Sequence, residues 1–309
     1  MTYSEPQKIL PSEKWEHFEL YQKVREVLLS LPTHFSTAIR IEGISAMDIF
    51  ALNSALGTTI ENHVVDTLNR ARTSWDSQGK YQLYRFIRQA QTFPDVLLTK
   101  TSSVETGSRE DIILGIELKG WYLLSKEGEP SFRFQVTPAA CAIPDLVVVV
   151  PWGLSNVISG SPQIFTPYIE SARYAAEYRN YWWKLLRESK IDTGIITPKI
   201  VEPYPKKSDR ISDIPQSDQG GNFGRFSRSG IMDDYIKRVN AQLLCGIRAD
   251  HWRDFFKLFH DQTDYEIVQR KISQLKKKFT NNLTITEIDH FFEGLWQLIE
   301  KYVTNSKDN

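Results

Sequence analysis

The chain has 309 residues, enough for one large domain or two ordinary ones, and its composition, 41% hydrophobic and 25% charged, is globular rather than disordered. Thirty-eight basic residues balance 38 acidic ones, so no overall field draws the chain to nucleic acid or an anionic membrane, and any polyanion must be held by local patches. Residues 1–20 lack the apolar core of a signal peptide, the apolar run at 146–152 is too short to span a bilayer, and Cys141 and Cys245 stand in no metal-ligand spacing. The expectation is a soluble cytoplasmic protein with no membrane partner.

In chain order, Ser12 opens a capped helix start, with Trp15, Phe18, Tyr21, Val24 and Leu28 at helical spacing after it. A second start is expected at Ser45. Gly57 is read as an interruption, after which Thr58 or Thr59 caps a helix carrying Ile60, Val64 and Leu68. An amphipathic helix is expected over about 80–90. The periodicity then changes to short β-rich runs at 94–99, 111–124, 132–137 and 146–150, with a polar loop between the first two and a turn at 126–130. A long helix is expected from Thr166 to Arg187, with aromatic and small-residue faces.

From about Lys190 the composition shifts. Residues 191–230 are rich in Pro, Gly, Ser and Asp, and a connection of that length is more often functional than passive. Helices are expected over 231–244, 250–259, 265–279 and 286–303. The order helices, sheet, helices implies an α/β or α+β fold with one central mixed sheet flanked by helices and a mainly helical C-terminal part. The expected division is a core at 1–190 and an irregular plus helical region at 191–309, the second either separate or integral to one domain.

Chemistry concentrates at Pro94-Asp95 and, 22 residues beyond Asp95, at Glu117-Leu118-Lys119. Residues i and i+2 of a strand share a face, so Glu117 and Lys119 project together while Ile116 and Leu118 point to the opposite side. Asp95, at the start of the preceding strand, can converge on the same edge. A carboxylate pair suits Mg²⁺, which prefers oxygen ligands and keeps several waters, and Lys119 could orient a water or offset charge on a pentavalent transition state. The alternative is a structural acid–lysine pair on a strand edge.

Pro94-Asp95 with Glu117-Leu118-Lys119, in this strand context, resembles the PD-(D/E)XK nuclease signature of type II restriction endonucleases, over roughly residues 55–190. The resemblance implies a restriction-endonuclease-like fold, Asp95 and Glu117 as ligands of Mg²⁺, and Lys119 as the catalytic lysine. Members often add an acid from the helix before the first strand. Glu61 is the best match, and it reads equally well as a structural glutamate near a helix N-terminus. Gln135, on the following expected strand, could reach the scissile phosphate or be a half-exposed polar group. His63 does not share a helix face with Glu61 and reads as a satisfied histidine.

The segment 206–228 supplies candidates for DNA contact. Asn222, Arg225 and Arg228 lie in a Gly-rich stretch that allows close approach, and Arg and Asn can read guanine and adenine edges. Lys207 offers a phosphate contact, whereas the run 276–278 reads as a solvated helix face. The expected activity is therefore Mg²⁺-dependent, site-specific cleavage of double-stranded DNA. The class implies a homodimer and a cognate DNA methyltransferase as a functional partner. Two other readings stay open: a repair or recombination nuclease of the same fold, and a DNA-binding protein without turnover.

Overall fold

The computed structural model describes residues 4–260, apart from 45–47, 90, 107, 189–191, 219 and 221, together with Arg270. The helices expected over 265–279 and 286–303, the basic run 276–278 and the helix start at Ser45 lie outside the described residues.

The fold is mixed α+β, built on one curled six-stranded mixed sheet. Helix α1 (Phe18–Leu29) buries Leu20, Tyr21, Val24, Val27 and Leu28. Ser12 does not cap it. Instead Ser12 closes a preceding turn, its carbonyl accepting the Trp15 N–H at 2.9 Å. A single turn, α2 (Leu31–His34), leads on to α3 (Leu52–Arg70) and α4 (Arg72–Trp75). Gly57, Thr58 and Thr59 all fall inside α3, so Gly57 is no interruption and neither threonine is a cap.

The segment expected as a helix over 80–90 forms strand β1 (Tyr84–Arg88) instead. Its alternation of Tyr84, Phe86 and Arg88 with Arg85 and Ile87 fits a half-covered strand better than a helix. Strands β2 (Val96–Lys100) and β3 (Ile112–Tyr122) match their expected positions. The loop between them contains one helical stretch, α5 (Thr101–Thr106). β1, β2 and β3 form an antiparallel meander. β4 (Leu146–Leu154) then pairs parallel with β3 and is buried along its whole length, as expected of a strand covered on both faces.

A parallel pair needs a crossover, and residues 123–145 provide it without an α-helix. The stretch 132–137, expected as a strand, has only two isolated bridges, Arg133 to Arg225 and Val136 to Ser212. The far edge of β4 is covered by β5 (Pro162–Ile164) and β6 (Tyr168–Ser171), both antiparallel to it. Pro167, which has no N–H to give to the ladder, stands between them. The helix expected from Thr166 therefore starts late, as α6 (Ala172–Tyr181), with the Ser171 hydroxyl accepting the Tyr174 N–H at 3.3 Å. It ends in a widened turn, Trp182–Leu186, closed by the Arg187 N–H on the Trp182 carbonyl.

In the irregular segment, β7 (Ile195–Ile196) pairs with β8 (Ile214–Pro215). α7 (Asp233–Asn240) is shorter than expected, because Leu243 and Leu244 enter a hairpin of β9 (Leu243–Leu244) and β10 (Ile247–Arg248) before α8 (Ala249–His260). No helix among the described residues is long and apolar enough to cross a membrane.

One buried ion pair ties the irregular segment to the sheet. Arg179 of α6 is 2% exposed and Asp213 fully buried, their closest atoms 2.6 Å apart. The Arg179 guanidinium also donates to the carbonyls of Phe134 and Val136, at 2.7 and 2.9 Å, and lies over the Phe223 ring. The Asp213 N–H donates to the Gln135 carbonyl at 2.8 Å. One guanidinium thus organises 132–137 and 213–223 together. Asp213→Ala, which strands that charge, is expected to cost about 3–5 kcal/mol, while Arg179→Met with Asp213→Leu should recover much of the loss. Urea denaturation of the three proteins checks this.

Candidate active site

The site forms where the sheet divides. β2 accompanies β3 only as far as the Val96–Ile116 pair, whereas β4 stays with β3 to Tyr122. Beyond Ile116, every second amide of β3 on the β2 side has lost its strand partner, and a buried N–H needs an acceptor. Side chains supply it. The Leu118 N–H donates to Asp95 Oδ2 at 3.1 Å, Gly120 N–H to Glu61 Oε1 at 3.1 Å, and Tyr122 N–H to Asn53 Oδ1 at 3.0 Å.

Asn53 and Glu61 both come from α3, which packs along this edge. Two glycines mark the point of approach. A Cβ on Gly120 would lie 3.5 Å from the Gly57 carbonyl oxygen and 3.7 Å from its Cα, so helix and strand are separated there by about the width of one methyl group. Gly57, read from sequence as a break, is where the helix meets the strand.

Asp95 is positioned by a second tight contact. A Cβ on Gly115 would sit 2.2 Å from Pro94 Cγ, so only glycine lets Pro94 lie over β3 and set Asp95 beside Leu118. Asp95 Oδ2 and Glu117 Oε1 then each lie 2.8 Å from the Lys119 ammonium. Glu117 is 8% exposed. Burial pushes its carboxyl up to about 7, with the Asp95 charge adding to the rise and Lys119 opposing it. Burial alone would lower the Lys119 ammonium, but the charges of Glu117 and Asp95 outweigh it and hold it above its ordinary value.

Glu61 stands at the side of this group. Its second oxygen pairs with Arg88 of β1 at 3.1 Å. Burial raises its carboxyl, against the Gly120 N–H, Lys119 and Arg88, which lower it. Around the division point three carboxylates (Asp95, Glu117, Glu61) face two cations (Lys119, Arg88), a local excess of negative charge.

Among the described residues, no group of three or more His, Cys, Asp or Glu side chains is placed to hold a metal ion. The acids that converge here are the pair Asp95 and Glu117. That suits Mg²⁺, which is commonly held by one or two carboxylates with water and substrate phosphate completing the shell. The two carboxylates already converge on one positive charge, the Lys119 ammonium, so their arrangement fits a cation.

The residues expected to contact DNA gather elsewhere. Arg225 pairs with Glu127, and Arg228 with Glu129 at 2.7 Å and with the Asn222 side chain at 3.5 Å. The expected arginine patch thus carries its own counterions, contributed by the turn at 126–130. Gln135 is half-buried, its Cγ against Gly224, and Lys207 is exposed. His63 lies against Phe35 and within 3.3 Å of the Thr37 hydroxyl, the satisfied histidine expected.

Sequence reasoning missed Asp145. It is fully buried, accepting Gly115 N–H at 2.7 Å, Ala142 N–H at 2.7 Å and the Tyr204 hydroxyl at 3.1 Å. Burial outweighs these bonds and pushes its carboxyl up to about 7. A signal was present: Pro144-Asp145 precedes an apolar run, the same pattern as Pro94-Asp95. Comparison with family models, curated proteins and solved structures returned no match for this chain.

Two predictions test this electrostatic arrangement. Glu117 has a folded-state pKa of about 7, raised from 4.5, so its contribution to stability is complete below about pH 4.5 and is lost as pH rises through 7. Glu117→Gln, measured by urea denaturation in EDTA, should lose less stability than wild type between pH 4.5 and 7; an unchanged pH profile would contradict the burial argument. Glu61→Gln keeps an acceptor for Gly120, so it should cost well under the roughly 1–3 kcal/mol expected of Glu61→Ala, which leaves that amide unpaired.

Proposed function

We propose that the protein is a Mg²⁺-dependent endonuclease that hydrolyses phosphodiester bonds of double-stranded DNA, with a restriction-endonuclease-like fold and the site specificity of a type II restriction enzyme. The observation that carries the reading is the Lys119 ammonium shared, at 2.8 Å each, between Asp95 and Glu117 where β2 leaves β3. An edge-capping role accounts for Asn53, Glu61 and the Leu118 contact of Asp95. It gives no reason for a buried Glu117 or for a lysine between two acids.

Asp95 and Glu117 would hold the ion, which when bound polarises the scissile phosphate and acidifies a water. Asp95 is fixed for this by the Leu118 N–H, so its second oxygen keeps a set direction. Lys119 would leave its two carboxylates to the metal and turn its ammonium to the attacking water or to the phosphoryl oxygens, where charge develops. Glu61 anchors the edge of β3 and, through Arg88, the end of β1, which makes it a positioning residue in this scheme. Asn222, Arg225, Arg228 and Lys207 would contact the duplex, the arginines exchanging Glu127 and Glu129 for phosphates or base edges. A homodimer would present two such sites to a palindrome, and a cognate methyltransferase would protect the host's own sites. The setting is the cytoplasm.

The test is incubation with long linear phage DNA in Mg²⁺ or Ca²⁺, beside Asp95→Ala and Lys119→Ala proteins verified as folded by circular dichroism. Discrete fragments with Mg²⁺ alone are expected, and each variant should lose on the order of 10²-fold or more in rate. A smear would favour a structure-selective repair nuclease. Binding without cleavage by wild type under any divalent ion would end the catalytic reading, and full activity in Lys119→Ala would end the site assignment.

A further inference from the structure

A second cleft opens beside the carboxylate pair and plays no part in the chemistry above. Its volume is about 370 Å³, within the range of small-molecule sites. Three cations line it, Arg88, Arg109 and Lys206, and no carboxylate does so among the described residues. Arg88 is committed to Glu61, whereas Arg109, among the described residues, has only a long ion pair, 3.8 Å, with the exposed Glu202. Ile87, Leu97, Ile112 and Pro205 give the cleft an apolar wall. Thr99 also lines it. That residue is 3% exposed, and its hydroxyl has no hydrogen-bond partner among the described residues. Its hydroxyl oxygen is sealed from solvent, so Thr99 belongs to the floor of the cleft and not to its contact surface.

We infer that this cleft binds a nucleoside phosphate. The phosphate lies on Arg109 and Lys206, with Arg88 adding to the positive potential, and the base and sugar rest on the apolar wall. An anion with no organic part would leave that wall bare, and a neutral apolar molecule would leave the cations unanswered. The chemistry has two sources, a free nucleotide or one nucleotide of a DNA strand. The position admits both, because Gln89 lines the cleft and bonds Asp95 and Pro94 through its N–H and side-chain amide, at 2.7 and 2.8 Å.

The test is calorimetric titration of the full-length protein, without divalent ions, with deoxyadenosine 5′-monophosphate, deoxyadenosine and inorganic phosphate. Wild type should bind the nucleotide, and both fragments should bind at least about tenfold more weakly. Arg109→Ala with Lys206→Ala should weaken nucleotide binding by about tenfold or more. Displacement of the nucleotide by a short oligodeoxynucleotide assigns the site to a DNA strand; its absence assigns it to a free nucleotide. No binding by wild type at millimolar nucleotide, equal binding of phosphate alone, or an unaffected double variant would each overturn the inference. Asp95→Ala should bind the nucleotide as wild type does, so a failed nuclease assay and a failed cleft assay are distinguishable.

Discussion

The rest of the structure depends on how the open edge of β3 is satisfied. A strand buried on both faces cannot leave alternate amides unpaired, yet β2 abandons β3 at Ile116 and β4 covers only the other edge. Three side chains, Asp95, Glu61 and Asn53, take the places a fourth strand would have filled. Two of the three are carboxylates, and that choice has a consequence. Acceptors delivered as carboxylates bring charge into the edge, and Lys119 and Arg88 are the counter-charges that make it tolerable. A requirement of backbone hydrogen bonding thereby produces a cluster of ionisable groups at one point of the sheet.

Glu117 breaks this economy. It accepts from no β3 amide of the open edge, it is buried, and its carboxyl is raised by that burial. Its partners are the Asp95 backbone and the Lys119 ammonium, and these oppose the desolvation without cancelling it. The same test separates Asp145 from the site. That carboxylate is more deeply buried still, but three donors account for it, and it serves to hold Tyr204 and the loop before β4 against β3. Of the acids around the division point, Glu117 is the one that caps no amide of the open β3 edge and whose carboxyl burial raises to about 7 while it is paired with Lys119.

How much of this was legible in the sequence follows from the range of each interaction. β2, β3 and β4 were readable because their apolar runs are local, and the convergence of Asp95, Glu117 and Lys119 followed from the two-residue period of β3. β1 was not, because Phe86 and Ile87 fit a helical stripe until pairing with β2 decides otherwise. The start of α6 was misplaced because the free edge of β4, invisible locally, captures Tyr168–Ser171. The role of Gly57 was inverted for the same kind of reason: it lies inside α3 next to Gly120 of β3, sixty-three positions later, and nothing local shows that neighbour. Arg179 and Asp213 gave no sign of their union, since nothing local marks either as buried.

Position in the fold also separates the two arginine groups. Arg228 meets Glu129 at an exposed turn, where ion pairs are weak and screened by salt, while Arg225, largely buried, reaches Glu127 at the surface. Arg179 meets Asp213 in the interior, where neither can be exchanged for a ligand without opening the core. A surface arginine held by a surface glutamate is oriented at little cost and surrendered easily. Such pairs suit a polyanion-binding surface on a chain with no net charge: the glutamates cancel long-range attraction, so only a ligand that matches the arginines at short range replaces them. On the nuclease reading, that exchange would make DNA affinity fall with salt while discrimination rested on contact geometry, as expected where phosphates position and base edges specify.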